Sequence, residues 1–342
     1  MSDSIIKIFN LGFPWTTSDP FLFCVYHQDF YPNGKSDFSP AVSLKGRNIG
    51  QDFTLKDGWR MYHGENIPGF PHHPHRGFET VTVVNKGLVD HSDSLGCAGR
   101  YGNGDVQWLT TGNGVQHAEM FPLLNQNRDN PSELFQIWLN LPANNKMVTP
   151  SYKMLWNEDI PIKTYVAGNG ATTTVKVVAG ELHETKALEP TPHSWANDEK
   201  NNVAIWTIEM EASGKWTIPK SLEGLNRTIY FFEGDQLRVG SEEISVNQGV
   251  ELLSNSEVTI ENSGETLARL LLLQGRPIGE PVAQYGPFVM NTEAEVQQAF
   301  QDYQQTQFGG WPWDRPDPIH GNRGRFAQHA DGTEEVPKSN KQ

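Results

Sequence analysis

The chain has 342 residues, of which 37% are hydrophobic and 20% charged, with 32 glycines and 22 prolines. That length calls for two domains, and that composition for a turn-rich globular protein of many short strands rather than helical layers. A formal net charge of −14 opposes direct contact with nucleic acid or an anionic membrane surface. No apolar run follows a basic start, so neither a signal peptide nor a membrane span is expected. Cys24 and Cys97 lie far apart and give no disulfide framework, which reads as reduced thiols in a cytoplasmic protein.

In chain order, the aromatic run 21–27 suits a strand, and 32–57 is polar and turn-rich, a set of loops around a first barrel. Residues 78–84 crowd Phe, Val and Thr into a strand, turned by Asn85-Lys86-Gly87 into a partner over 88–91. Further strands are predicted at 106–110, 115–120 and 133–141, the first two delivered by Gly-Asn turns at 102–105 and 112–114. Residues 142–150, bounded by prolines, form a seam between domains. A second series of strands follows at 172–179, 202–210, 228–233, 236–239, 249–253, 257–261 and 266–273, the rhythm of a sandwich or small barrel. The one helix is predicted over 292–305, with Thr292 as N-cap and Glu293 and Glu295 in its first turn. After Gly309-Gly310, Trp311 and Trp313 are expected to pin a proline-dotted tail to a domain surface, and the last ~12 residues read as disordered.

Two short stretches carry the chemistry: His72-His73-Pro74-His75-Arg76-Gly77-Phe78-Glu79-Thr80 and His117-Ala118-Glu119. Alternate side chains of a strand share a face, so His73 and His75 project together, as do His117 and Glu119. Three imidazoles and a carboxylate offered in pairs from two strands make a site for a divalent metal. The nitrogen and oxygen set suits iron, manganese, copper or nickel and is similar to two-His-one-carboxylate iron sites with one extra His. No Cys lies near either cluster, which excludes a Cys-rich structural zinc site. His72 faces away and is left out. Glu79 has the right parity to point inward as well, and stays open between a ligand, a supporting group and a satisfied core carboxylate. No His occurs from 197 to 318, so the second half cannot hold metal through histidine; His183 and His193 read as surface residues.

The run 73–81, followed by Asp93-Ser94-Leu95-Gly96, Gly104-Asp105-Val106-Gln107-Trp108 and 112–119, resembles the pirin pattern in order and spacing. Gly279-Glu280-Pro281-Val282 and 285–292 resemble its closing segment, so the resemblance spans roughly residues 5 to 310. It implies a cupin fold: all-β, a bicupin of two face-to-face jelly-roll barrels with a short C-terminal helix, metal lying in the N-terminal barrel only. With the seam, this gives a metal-binding domain over 1–145, a second cupin over 146–290, and a helix and tail over 291–342. The family's ligands fall on His73, His75, His117 and Glu119, the four that strand geometry selects. Two departures stand out: Asn103 replaces the usual Pro before Gly104-Asp105, and 180–202 is longer and more polar than usual, with a bearing on a pocket rim.

The resemblance implies two functions. The first is a quercetin 2,3-dioxygenase-type enzyme, opening the central ring of a flavonol-like aromatic substrate with O2 and releasing carbon monoxide. Glu119 is then both metal ligand and catalytic proton acceptor, Fe(II) the first-choice ion, and Mn, Cu, Ni, Co and Zn the alternatives. Phe78, Trp108 and Trp138 are candidate pocket walls, with plain core as the rival reading. The second is a non-catalytic, iron- and redox-sensing regulator that binds a transcription regulator or metabolic enzyme as protein partner. Because the two barrels lie within one chain, a monomer is adequate.

Overall fold

Runs of β-branched and aromatic residues broken by glycine turns fold as antiparallel strands, in a computed structural model that describes residues 4–338. The first ten strands are β1 (Ile5–Asn10), β2 (Phe21–Tyr31), β3 (Gly69–His75), β4 (Phe78–Lys86), β5 (Leu88–Asp93), β6 (Ala98–Gly102), β7 (Val106–Thr110), β8 (Val115–Met120), β9 (Asn130–Asn140) and β10 (Ser151–Leu155). Between β2 and β3 the chain makes only isolated bridges, in keeping with the loops expected there. The single α-helix among the described residues, α1 (Glu293–Thr306), begins one residue later than predicted because Thr292 is its cap. The Thr292 hydroxyl accepts from Glu295 N, and the Glu295 carboxylate accepts from Thr292 N at 2.8 Å, a complete capping box. No described helix is long and apolar enough to cross a membrane.

The chain forms two compact units, each built of antiparallel β-sheets, and both are discontinuous in sequence. One comprises Val25–Glu158 with Glu280–Gln342, the other Met1–Cys24 with Asp159–Gly279. This differs from the contiguous spans 1–145, 146–290 and 291–342 expected from the seam. The cause is strand pairing. β1 joins the strand Gln248–Leu252 of the later barrel, while Phe326–Gln328, near the end of the chain, joins β6 of the earlier one.

The histidine-bearing barrel is built from a five-stranded sheet, β10-β7-β4-β9-β2, and a six-stranded sheet in which Phe326–Gln328 is followed by β6-β5-β8-β3. In β4 every residue from Phe78 to Val84 is buried, and Val81 sits between Trp108 of β7 and Ile137 of β9. Gly77, between β3 and β4, has φ +87°, and a Cβ there would lie 2.0 Å from the carbonyl oxygen of Val289. Only glycine permits that approach, and it fixes the turn immediately after His75. The other barrel has a seven-stranded and a four-stranded sheet around an aliphatic core that includes Val175, Ile208, Ile229 and Leu272. Its strands match the predicted second series closely, at Thr172–Ala179, Ala204–Met210, Asn226–Glu233 and Ala268–Gly275. Segment 180–202 forms a two-residue hairpin and two 3-10 turns in this barrel. Of the tail read as disordered, Glu334–Glu335 pairs with Phe326–Gln328, whereas 339–342 lie outside the described residues.

Candidate metal centre

β3 and β8 lie side by side with His73 directly opposite His117, a register set after an irregularity between Phe70 and His73. β3 is the edge strand of its sheet, which is why it tolerates Pro71 and Pro74: a missing N–H there leaves no ladder bond unmade. His75, two residues on, shares the face of His73. The ring centroids stand 4.7 Å (His73–His75), 4.5 Å (His73–His117) and 4.9 Å (His75–His117) apart. One ligating nitrogen from each ring lies within 4.8 Å of the others, the one such group of three among the described residues. Glu119 follows His117 on the same face, with Oε2 3.8 Å from His117 Nε2.

Burial keeps these imidazoles neutral. It lowers His73 to about 4 and drives His75 and His117 well below their ordinary value, with neighbouring histidines adding to the effect. The Nδ1–H of His73 donates to the Pro71 carbonyl at 2.8 Å, which leaves Nε2 as a lone-pair donor. Both ring nitrogens of His117 are buried without a hydrogen-bond partner among the described residues. Such orphaned nitrogens are costly unless something else satisfies them. Burial raises the Glu119 carboxyl, opposed by His91, Gln136, Thr82 and Tyr101, and among the described residues no Lys or Arg forms an ion pair with it. Its oxygens are held by Gln136 Nε2 at 2.6 Å and Thr82 Oγ1 at 3.3 Å. Neutral nitrogen lone pairs beside a buried carboxylate that no Lys or Arg pairs are a donor set that a divalent cation fits.

Glu79 is resolved as a core carboxylate. It is fully buried, and Oε1 accepts from Trp108 Nε1 at 3.0 Å and Thr110 Oγ1 at 2.7 Å, away from the three-His group. His72 is exposed and stacks on Trp311, and His183 and His193 are exposed as expected. A cavity of about 980 Å³ opens onto the site, its wall including His73, His75, Glu119, Gln136, Phe70 and Trp138. Of the candidate wall residues only Trp138 reaches it. Phe78 packs behind Trp138 with centroids 3.9 Å apart, and Trp108 is committed to Glu79. Segment 180–202 takes no part in this cavity and rims one in the other barrel instead.

One neighbour was not singled out from the sequence. His91 is fully buried on β5, opposite Glu119 in register, and its Nε2 lies 3.1 Å from Asp93 Oδ2. The predicted strand 88–91 reaches His91 but stops short of Asp93, and neither the extension of β5 to Asp93 nor its pairing with β8 is legible from the sequence.

Residues 38–139 match the family model of pirin, and 205–309 that of the pirin C-terminal cupin domain. A Pseudomonas aeruginosa protein provisionally named quercetin 2,3-dioxygenase is 36% identical over 277 residues, covering 80% of this chain and 83% of its own. Human pirin is 34% identical over 264 residues, 75% of this chain and 82% of its own. Among solved structures, a quercetin 2,3-dioxygenase from Acinetobacter baumannii superposes with a TM-score of 0.69 at 26% identity, covering 90% of this chain and 98% of that one. With both family models matched and relatives in bacteria and mammals aligned over most of its length, the chain belongs to the pirin family.

Proposed function

We propose that the chain is a metal-dependent dioxygenase of the quercetin 2,3-dioxygenase type, which cleaves a flavonol-like aromatic substrate with O2. The observation that carries this reading is a neutral three-His group with a buried carboxylate, of which His73, His75 and Glu119 lie in the wall of an open, partly aromatic cavity. His73, His75, His117 and Glu119 hold one divalent first-row ion, Fe(II) foremost, with Mn, Cu, Ni, Co and Zn as alternatives. When bound, such an ion supplies Lewis acidity that favours loss of a proton from a substrate hydroxyl. Glu119 is the anionic member of the set and the proton's acceptor, held in place by Gln136 and Thr82. Phe70 and Trp138 present aromatic surface to a flat substrate. Both cysteines are free and buried, consistent with a cytoplasmic setting.

The test is oxygen uptake by Fe(II)-reconstituted protein on addition of quercetin, with metal content measured on the same samples. Uptake should follow flavonol loss and fall by at least about a hundredfold in Glu119→Gln, the scale of a lost acid–base group, while the variant keeps its metal. No uptake from protein holding one iron per chain would overturn the reading and leave the regulatory role, with a protein partner, as its rival.

A further inference from the structure

The barrel that lacks the three-His group is not apolar at its mouth. Arg227 lies on Asn226–Glu233 with the same parity as the core residues Ile229 and Phe231, so its side chain enters the barrel. It is 3% exposed. Opposite it in register is Gln274, which on its other side faces Ala204. Arg227 Nε donates to Gln274 Oε1 at 2.6 Å and Nη1 to the Pro219 carbonyl at 2.9 Å, both neutral acceptors. Among the described residues no carboxylate pairs with this guanidinium. Burial without a counter-charge lowers it to about 10, so it remains a cation at neutral pH.

A second polar side chain belongs to the same lining. Trp206, also inward-facing and 2% exposed, has a buried indole Nε1 without a hydrogen-bond partner among the described residues. Both residues line one cavity of about 360 Å³, together with Gln274, Ser221, Val203 and Leu188. A buried cation without an anion on a cavity wall is a costly feature that an anionic ligand would relieve.

We infer that this cavity is a binding site for a small organic monocarboxylate, held by Arg227, with the Trp206 side chain in its wall. The guanidinium fork matches a planar carboxylate, and the apolar walls suit a short hydrocarbon or aromatic body. The rim selects against higher charge. Glu181, Glu189, Asp198 and Glu199 stand exposed around the opening, Lys186 is already paired with Glu199, and Lys220 is the remaining rim cation. A dianion would meet net repulsion there, whereas a monoanion is matched by the single buried guanidinium. Segment 180–202 supplies much of this rim and so sets which ligands enter. The inference is independent of the metal centre.

The test uses the full chain, loaded with metal and labelled with 15N, and follows the Trp206 indole N–H resonance, assigned by its loss in Trp206→Phe. Benzoate is the probe, with benzamide as its neutral counterpart and inorganic phosphate as a more highly charged anion. Benzoate should shift the resonance saturably, while benzamide and phosphate leave it in place. Arg227→Met should weaken binding at least about tenfold, the worth of a charge-assisted hydrogen bond. Gln274→Glu places a carboxylate against Arg227, and should abolish benzoate binding while keeping the fold. That variant stands as the test if Arg227→Met fails to fold. An unmoved resonance, an equal response to benzamide, a response to phosphate instead, or benzoate binding that survives Gln274→Glu would each overturn the proposal.

Discussion

Lys146 shows how much one buried side chain contributes to the metal-bearing barrel. Its ammonium donates to the carbonyls of Gly77 at 2.8 Å and Val289 at 3.1 Å and to Asn140 Oδ1 at 2.7 Å. It therefore ties down the turn that follows His75. Lys146→Met leaves three buried acceptors without their donor and should cost about 3 kcal/mol, as read by denaturant unfolding. The pH dependence carries a definite sign. Burial lowers the ammonium from 10.5 to about 8, so between those values the unfolded chain binds more protons than the native one. Stability of the wild type relative to Lys146→Met should then rise as pH climbs from 8 towards 10.5, and a flat difference would mean that the charge is not desolvated. Other details at this scale were open in the sequence for equally local reasons. Strand parity admits both Glu79 and Glu119 to the barrel interior, and only the cross-strand partners separate them: Trp108 and Thr110 satisfy the first, while the second lies beside His117. Asn103, where a proline is usual, has φ +50°, a value the pyrrolidine ring cannot reach, so the departure follows from the turn and leaves the metal set untouched.

At the scale of elements, the tail after α1 is held by a latch rather than by its tryptophans alone. Arg100, fully buried on β6, forms a two-bond ion pair with Asp90 at 2.6 and 2.7 Å and donates to the carbonyls of Gly321 and Arg323. Asp90 also accepts from His320 N at 2.8 Å. Upstream, Trp313 Nε1 donates to the Asp93 carbonyl, and His72 N donates to the Pro316 carbonyl, which brings Arg315, Pro316 and Asp317 to the rim of the metal cavity. Arg100→Met leaves Asp90 as an uncompensated buried charge and should cost about 3–5 kcal/mol. It should also speed trypsin cleavage of the tail after Arg323 and Arg325 relative to the wild type; an unchanged rate would mean that the tail's aromatic contacts suffice. The sequence announced that the tail docks, through Trp311 and Trp313, and where the helix starts, through Thr292. Arg100 and Asp90 could not be paired from it, because two charged residues ten apart show no relation until β5 and β6 are known to be neighbours. The same holds for Phe326–Gln328, too short and too polar in its surroundings to register as a strand, yet specified by the open edge of β6.

For the molecule as a whole, two barrels were legible from strand rhythm, and the metal's barrel from the distribution of histidines, but the path of the chain between them was not. Periodicity reports which residues are buried, not which strands pair across hundreds of residues. A boundary at 145 looks natural at the proline-flanked seam, yet it removes β10, the partner of β7, and Phe326–Gln328, the partner of β6. It removes Lys146 as well, and it retains β1, whose partner strand Gln248–Leu252 belongs to the other barrel. A fragment of residues 1–145 thus carries two newly opened strand edges and one strand with nothing to pair with, a combination that favours aggregation over folding. It should show no cooperative thermal transition and no near-ultraviolet dichroism from its buried tryptophans, Trp108 among them, and should fail to retain metal through gel filtration even though it contains His73, His75, His117 and Glu119. A cooperative, metal-retaining fragment would instead mean that β3, β4, β7, β8 and β9 form a self-sufficient unit and that the discontinuous segments only reinforce it.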